Sequence, residues 1–575
     1  MPIANAEIAR LLREAADLLE IQNANPFRVR AYRNAARSVE DLARPIAPDD
    51  ANAAARLDAI PGIGPDLAGK ILEIARTGSL HVLEELAKEV PRGAATLMDV
   101  PGIGPRRARA LLERLHISSL AELEHAAKEG RLRRLPEFGE RMEKKILESL
   151  AEHRDEEHRL LRPVAAQYGE LLLDYLRAAP GVKQAEIAGS FRRCRESIGD
   201  LDILVACSNG DAVVDRLASY PEVEEVLARG STRASVRLRS GLQVDLRVVA
   251  VESFGAALHY FTGSKAHNIS IRKMGQARGL KINEYGVFRG RRRIAGRTEE
   301  EVFESVGLPL IPVELREDRG EIEAAREHRL PVLVELDDIR GDLQCHTTDS
   351  DGRDTLQEMA EAARKLGYSY LAVTDHTPSV RVAGGLDRKG FLRQMKRIDS
   401  LNAGLKKMQA LKGAEVDILA DGSLDLDDGT LQALDVVLVA IHSHFDLSPR
   451  EQTRRIVRAL QHPSVDIFAH PTGRLIGRRR GAQFDFDEVV GAAIDHGVML
   501  EVDAQPERLD LDDVSCRAAI EKGATITIST DAHSVANLQY MRWGVEQARR
   551  AWATAANVAN TRTLRQVRRL LHRER

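Results

Sequence analysis

"GSFRRCRESIGDLDILV" occupies residues 189–205. It opens on Gly189-Ser190 and two arginines, Arg192 and Arg193, and closes on two aspartates separated by one residue, Asp200 and Asp202. The "DLDILV" tail alternates and then turns apolar, which predicts a strand entering a core. Side chains repeat every two residues along a strand, so both carboxylates point to one face. Like charges at that spacing repel and need a counter-charge. Two divalent cations about 3.5–4 Å apart supply one, and hard oxygen ligands favour magnesium or manganese.

A site of that kind needs a third acid on a neighbouring strand. "GLQVDLRVVAV" (241–251) offers Asp245 in a strand-like run. Gly189 and Ser190 read as a tight turn whose N–H and hydroxyl groups hold phosphate, and Arg193 adds charge. Together these residues predict phosphoryl transfer: a hydroxyl made nucleophilic by one metal, and a triphosphate clamped in line by both.

The stretch resembles the nucleotidyltransferase signature of family X DNA polymerases, the group of DNA polymerase beta. The resemblance continues through "YFTGSKAHNISIR" (260–272) and "INEYGVF" (282–288) and covers about the first 318 residues. It implies that Asp200 and Asp202 bind both metals, and that Asp245 binds one and helps activate the primer 3′-hydroxyl. Gly189, Ser190, Arg193 and Gly199, with Arg159 of "RLLR", are implied to hold the triphosphate. Tyr260, Phe261 and Gly263 fall under the incoming sugar, with the Tyr260 backbone crowding a ribose 2′-hydroxyl, and Asn268 falls beside the incoming base. Arg272 is implied to contact the template strand, and Glu284 and Tyr285 to support the closed state. Lys265 and Gln243 depart from the vertebrate pattern, the first beside the nucleotide base and the second beside the primer end. Neither removes a metal ligand.

Near the N-terminus a unit repeats. "AIPGIGPDLAGKIL" (59–72) and "DVPGIGPRRARALL" (99–112) share a Pro-Gly-Ile-Gly-Pro turn ahead of a helix, and "LPEFGERMEKKIL" (135–147) is a looser third copy. Gly62, Gly64, Gly102 and Gly104 permit a tight turn and close backbone approach. The following helix starts at once, so its free N–H groups form an anion site suited to a nucleic-acid phosphate. The unit resembles the helix-hairpin-helix motif, which grips DNA without reading sequence. Lys70 lies in the first such helix and aligns with the Schiff-base nucleophile of a 5′-deoxyribose phosphate lyase. The lysine that the family carries four residues earlier is Asp66 here, an acid that weakens 5′-phosphate binding.

The chain has 575 residues, enough for about three to five domains. Its formal net charge of −3 does not by itself indicate a nucleic-acid binder. The charge is segregated, however: residues 272–297 hold nine lysines and arginines against one acid, Glu284. Net charge here averages a basic groove with acidic metal sites. The four cysteines form no CxxC pair, the longest apolar run is of strand length, and the N-terminal stretch reads as an amphipathic helix. These features predict a reduced, cytosolic protein with no membrane association.

After a charged connector at 316–331 the pattern changes. Short apolar runs end in metal-type ligands: "GDLQCHTTDSDG" (341–352), "LAVTDHT" (371–377), "KGAEVDI" (412–418), "VVLVAIHSH" (436–444), "DIFAHP" (466–471) and "ITISTDAH" (526–533). Helical segments lie between them, so a parallel sheet is predicted, open or closed as a barrel, with its site at the strand C-terminal ends. The pattern is similar to the PHP (polymerase and histidinol phosphatase) domain, a distorted barrel whose trinuclear metal centre hydrolyses phosphoesters. The resemblance implies the ligands His346, Asp351, His376, Glu415, His442, His470, Asp531 and His533, with manganese or zinc bound, and a 3′-end-trimming nuclease. Gln344 stands where the family carries histidine. Two outcomes stay open: a lost metal and a barrel kept as scaffold, or a centre held by the other eight ligands and shifted toward manganese.

The expected architecture is multidomain, α+β and α/β. It comprises a helix-hairpin-helix lyase-like domain (1–90), a second helix-hairpin-helix subdomain (91–150), a nucleotidyltransferase palm with a mixed sheet (151–251), a nucleotide-binding subdomain (252–318), a linker (319–337) and a PHP domain (338–575). The expected function is template-directed gap filling by a monomer acting on DNA and deoxynucleoside triphosphates. A template-independent nucleotidyltransferase and a DNA-end scaffold are the alternatives.

Overall fold

The structure, a computed structural model, describes residues 3–571 apart from 41, 43, 44, 49, 51, 61, 101 and 154–158. Pro61 and Pro101 of the two repeats therefore lie outside the described residues. The chain forms two compact units, residues 1–188 with 197–254 and residues 189–196 with 255–575.

In the first unit, helix α1 (Asn5–Ile21) buries Ile8, Leu12, Ala15 and Leu19 against Tyr32, Ala35 and Ala36 of α2 (Pro26–Glu40). Its polar face is laced rather than bare. Arg13 pairs with Glu40 at 2.6 Å and Asp17 with Arg33 at 2.9 Å, while Glu14 pairs with Arg92. Helices α3 (Pro65–Thr77), α4 (Pro105–Leu115) and α5 (Glu140–His153) open after the three repeated turns. Helix α6 (Arg162–Arg177) follows and joins this bundle to the palm. The Tyr168 hydroxyl donates to Glu7 at 3.0 Å, and the Ala6 N–H donates to Gln167 at 2.7 Å.

The palm sheet contains β1 (Gln184–Ile187), β2 (Asp200–Ala206), β3 (Val223–Arg229), β4 (Arg233–Leu238) and β5 (Gln243–Val249), in the order β1-β2-β5-β4-β3. The β2–β5 pair is parallel and the others are antiparallel, so the sheet is mixed. Inward residues Leu201, Ile203, Val244 and Leu246 are buried, which leaves the alternating aspartates on the other face. Gly169 of α6 lets the helix approach this sheet, since a Cβ there would lie 2.7 Å from Ile187.

In the second unit, α7 (Phe254–Thr262) and α8 (Lys265–Ala277) precede an antiparallel sheet of β6 (Leu280–Asn283), β7 (Gly286–Arg289) and β8 (Arg292–Ala295). Ile271, Val287, Phe303 and Ile311 form their core. The segment read as a charged connector is folded. Helix α9 (Glu321–Arg326) buries Ile322 and Ala325, and its fully buried Glu321 accepts a 2.7 Å hydrogen bond at His267 Nδ1. Glu321 and the buried Arg316 thus have internal partners, while Glu323, Arg326, Glu327 and Arg329 stay exposed.

Seven parallel strands follow: β9 (Gly341–Asp342), β10 (Tyr370–Val373), β11 (Gln409–Asp417), β12 (Val436–Ala440), β13 (Ile467–Phe468), β14 (Met499–Asp503) and β15 (Ile526–Ser529). Each pairs with the next in sequence order. Just beyond the first and last strands, Cys345 bridges Ala532 in parallel, and the His346 N–H donates to the Ala532 carbonyl at 2.8 Å. The open alternative, sheet or barrel, is resolved in favour of near closure. The strands are buried on both faces, as parallel strands covered by helices must be.

Candidate active sites

The first site grows from the β2–β5 ladder. Asp202 and Asp245 are register partners, and Asp200 lies two residues before Asp202 on the same face. One carboxylate oxygen from each of the three lies within 4.8 Å of the others. Asp245 is held at both oxygens, since Gln243 Nε2 donates to Oδ2 at 2.8 Å and the Ser235 hydroxyl donates to Oδ1. Gln243, a departure from the vertebrate pattern, thus acts as an orienting donor to a carboxylate. Desolvation and the Asp245 charge push the Asp200 carboxyl upward, against the opposing pull of Arg159. Arg159 is fixed by Ser197, with Nε 3.0 Å from the hydroxyl and Nη2 2.5 Å from the carbonyl. A Cβ at Gly199 would lie 3.2 Å from the same guanidinium. Three crowded acids with one arginine fit hard divalent cations, which relieve the repulsion that the sequence sets up.

In the second unit, Gly189 takes a left-handed φ of 61° and starts a short helix, Gly189–Arg192. Arg192 forms two bonds to Glu299, at 2.6 and 2.9 Å. Arg193 donates through Nε to Glu317 at 3.0 Å and through Nη1 to the Thr262 carbonyl. Tyr260 and Phe261 close α7 with their rings edge to face, centroids 5.2 Å apart. Gly263, at φ 71°, leads into α8, which carries Lys265, Asn268 and Arg272. Asn268 Nδ2 donates to the Tyr260 carbonyl at 2.6 Å, so the backbone atom implied to face the sugar is locked in place. Its Oδ1 is buried without a hydrogen-bond partner. Glu284 and Tyr285 sit on the β6–β7 turn, with Tyr285 exposed.

The repeated turns of the first unit show the predicted backbone. Gly62 and Gly102 have φ of 86° and 92°. Gly64 and Gly104 are the residues before α3 and α4, and a Cβ on either would meet nothing within 4 Å. Both helices begin on proline, and their first-turn N–H groups have no intrahelical acceptor. Lys70 in α3 forms an ion pair with Asp66 and lies 5.7 Å from the Tyr32 ring centroid.

The second site sits at the C-terminal ends of the barrel strands and centres on Glu415. His470, His442, His346 and His376 approach its carboxylate at 2.8, 3.0, 3.3 and 3.3 Å. Burial would raise this acid, but His376, His442 and His470 hold it well below the carboxylate range. Asp351 lies 3.6 Å from His376 and 3.4 Å from His533. Asp531 lies 2.9 Å from His346 Nε2 and is drawn down to about 2, its burial outweighed by His533 and His346. Burial would lower His442, yet Glu415 and Asp417 lift it to about 9. His470 and Asp531 stand at positive φ, 28° and 47°.

These side chains form three overlapping donor groups: His346 with Asp351, His376 and His533; His376 with Glu415 and His442; His346 with Glu415 and Asp531. Ring nitrogens of His346, His376, His442 and His470, together with Glu415 Oε2, are buried without hydrogen-bond partners. Orphaned donors in such a convergent set fit a multinuclear metal centre. Gln344 stands at its edge, with Nε2 3.4 Å from Asp531 and Oε1 buried and unpartnered.

Sequence reasoning missed a supporting layer. Asp375 accepts from Thr347 N, Thr347 Oγ1 and Gln394 Nε2 at 2.8, 2.7 and 2.5 Å, beneath the ligand loops. Glu501 accepts from the His470 N–H at 2.9 Å, and Asp417 lies 3.4 Å from His442 Nδ1. Asp503 and Asp531 face Arg508 at 3.5 and 3.9 Å. A signal was present for Asp375, beside His376, and for Asp417 and Asp503, at strand ends, but not for Glu501, in mid-strand.

Comparison with known proteins agrees with this layout. Family models match residues 3–80 (helix-hairpin-helix domain), 94–152 (SAM-like helix-hairpin-helix tandem), 257–317 (DNA polymerase beta thumb) and 342–503 (PHP domain). The chain is 38% identical over 571 residues to the Bacillus subtilis (strain 168) protein named DNA polymerase/3′-5′ exonuclease PolX, covering 99% of each. The barrel region is also similar to a probable phosphatase of Thermoanaerobacter sp. (strain X514), 28% identical over 38% of this chain and 89% of that protein. A probable phosphatase of Acetivibrio thermocellus is 33% identical over 26% of this chain and 58% of its own length. With a palm, a polymerase-beta thumb and a PHP barrel in one chain, and a relative aligned end to end, the chain belongs to the family X DNA polymerases that carry a C-terminal PHP domain.

Proposed function

We propose that the chain is a template-directed DNA polymerase that fills short gaps in repair, with a 3′–5′ exonuclease in its PHP barrel. The observation that carries the polymerase reading is the register pairing of Asp202 with Asp245 beside Asp200, three carboxylates within 4.8 Å. Divalent cations held there, magnesium or manganese, supply the charge that activates a hydroxyl and neutralises a triphosphate. Asp200 and Asp202 would hold the ions. Asp245, fixed at both oxygens, would help hold one and orient the primer 3′-hydroxyl, whose oxygen attacks the α-phosphorus as its proton passes to a nearby carboxylate or water and pyrophosphate leaves. Ser190, Arg193 and Arg159 hold the triphosphate oxygens. Asn268 and Tyr260 position the nucleotide, and Arg272, Glu284, Tyr285 and the glycine turns of the N-terminal repeats engage DNA. The domain boundaries set out from sequence belong to this proposal, as does a monomeric, cytosolic enzyme. Among the described residues no helix is long and apolar enough to cross a membrane.

In the barrel, His346, Asp351, His376, Glu415, His442, His470, Asp531 and His533 would hold manganese or zinc, and such ions would supply Lewis-acid polarisation of a terminal phosphodiester. Gln344 supports the reading in which the centre survives, because its free Oε1 offers a weak oxygen donor where the family has an imidazole. Lyase chemistry at Lys70 requires release of its amine from Asp66 before that amine attacks a sugar aldehyde. Borohydride trapping on an incised abasic site, lost in Lys70→Ala, tests it.

Primer extension on a one-nucleotide gap, with each deoxynucleotide supplied separately, tests the central reading. Insertion of the complementary nucleotide alone is expected. Equal insertion of all four would support a template-independent transferase, and no insertion would support a scaffold.

A further inference from the structure

The segment 189–196, which carries Ser190 and Arg193, is held by residues of the PHP barrel. Arg550, near the C-terminus of the helix Met541–Arg550, is almost fully buried. Its Nη1 donates to the Arg193 carbonyl at 2.6 Å and to Glu317 Oε1 at 3.0 Å, and its Nη2 donates to Asp513 at 2.7 Å. Glu317 Oε1 is the same oxygen that Arg193 Nε contacts at 3.0 Å. Three residues on, Glu196 meets Arg474 of the barrel in a two-pronged pair at 2.6 and 3.3 Å. Arg474 is itself fixed by the Arg508 and Leu509 carbonyls at 2.9 and 2.6 Å.

We propose that Arg550 and Arg474 are positioning residues for nucleotide binding in the polymerase, acting from the exonuclease domain through Arg193 and Glu196. The inference rests on the reading above that Arg193 is a triphosphate ligand. Arg193 spends Nε on Glu317 and Nη1 on the Thr262 carbonyl, and among the described residues Nη2 has no protein acceptor. A triphosphate can therefore use Nη2 only if the other two contacts set its direction. A carboxylate paired with a single arginine also quenches that arginine's charge. Arg550 and Arg193 share Glu317, and Asp513, which takes the other end of Arg550, also pairs with Arg319 at 2.9 Å, so three arginines face two carboxylates, the local sum stays positive and Arg193 keeps attraction for an anion. Arg550 meanwhile satisfies the Arg193 carbonyl, so backbone and side chain of one residue are tied to the barrel. The two enzymes of the chain are coupled mechanically at this point, and the coupling needs no metal in the barrel.

The test is steady-state extension on a gapped duplex, with KM for the nucleotide and kcat measured separately. Exonuclease activity of the same preparations serves as the control for folding. Arg550→Met is expected to raise KM about tenfold, the scale of one charge-assisted hydrogen bond, with kcat changed less than twofold. Arg550→Lys is expected to recover part of that loss. The double variant Arg550→Met, Glu317→Gln is expected to recover most of it, because a neutral amide in place of the carboxylate no longer quenches Arg193. Arg474→Met, at a partly exposed pair, is expected to raise KM about threefold and serves if Arg550→Met does not fold. An unchanged KM in Arg550→Met, or in Arg474→Met where that variant stands in, overturns the inference when Arg193→Ala does raise KM. If Arg193→Ala itself leaves KM unchanged, the triphosphate role of Arg193 fails and the inference falls with it.

Discussion

Both active sites are built at strand ends from acids, yet they differ in how those acids are neutralised. In the mixed sheet, Asp200 is exposed and Asp202 and Asp245 half-buried, with one arginine nearby, and desolvation together with the Asp245 charge pushes Asp200 upward. In the barrel, Glu415 is fully buried among four histidines that hold it far below the carboxylate range. On the proposed reading the first arrangement would be completed by cations and a triphosphate. The second sets its acids against histidines of the protein itself, with ring nitrogens left free for metal and a layer of buried acids and threonines behind it. An open acidic triad suits a reaction whose substrate carries much of the charge, and a caged centre suits hydrolysis, in which the protein must supply all of it.

The largest way to break this contrast is to remove the caged carboxylate. Glu415→Ala is expected to lower 3′–5′ digestion about a thousandfold and to leave extension within twofold of wild type. Retained metal, measured by elemental analysis after desalting, should fall in the same variant. Retained digestion would place hydrolysis elsewhere.

A smaller effect concerns the support of the region that matches the DNA polymerase beta thumb, residues 257–317. Glu299 would be raised by burial, but Arg192 and Arg316 hold it down at about 2. Its folded value is depressed, so it stabilises above the unfolded carboxyl range, and that contribution is lost as pH falls from about 5 toward 2. The shift from 4.5 to about 2 corresponds to about 3 kcal/mol. Hydrogen exchange over residues 254–326 should therefore be about a hundredfold faster in Glu299→Gln at pH 7, with the difference shrinking toward pH 3. A difference that grows on acidification would reverse the sign and refute the assignment.

The smallest expected effect sharpens the barrel side. Gln344→His should tighten metal retention about tenfold and shift preference from manganese toward zinc. No change in either would place residue 344 outside the centre.

Much of both sites was legible in the chain because local patterns carry them. The alternation around Asp200 and Asp202 fixes their common face, and the second strand-like run, with Asp245 near its start, supplies the parallel partner. In the barrel, His376, His442, His470 and Asp531 follow apolar runs, so strand ends and these ligands are read together. Three features were not legible. Glu317 and Arg550 are more than two hundred residues apart and look like ordinary surface charges until the fold buries them against Arg193. The connector looked solvated because its acids and arginines outnumber its apolar residues, but Glu321 and Arg316 have internal partners that sequence does not display. The acids behind the barrel ligands were hidden for two reasons: next to His376, Asp375 reads as a neighbour rather than as the acceptor that fixes the Thr347 loop, and Glu501 is buried inside a strand where only the fold brings the His470 N–H to it.

The central claim is that one chain holds two chemically independent metal sites. The direct measurement follows both products of one labelled gapped primer, longer and shorter, in the Asp200→Ala, Asp202→Ala double variant. The expected result is no extension, unchanged digestion in manganese and duplex binding close to wild type. Wild-type extension by that variant, or loss of extension and digestion together in a folded protein that still binds the duplex, would contradict the account.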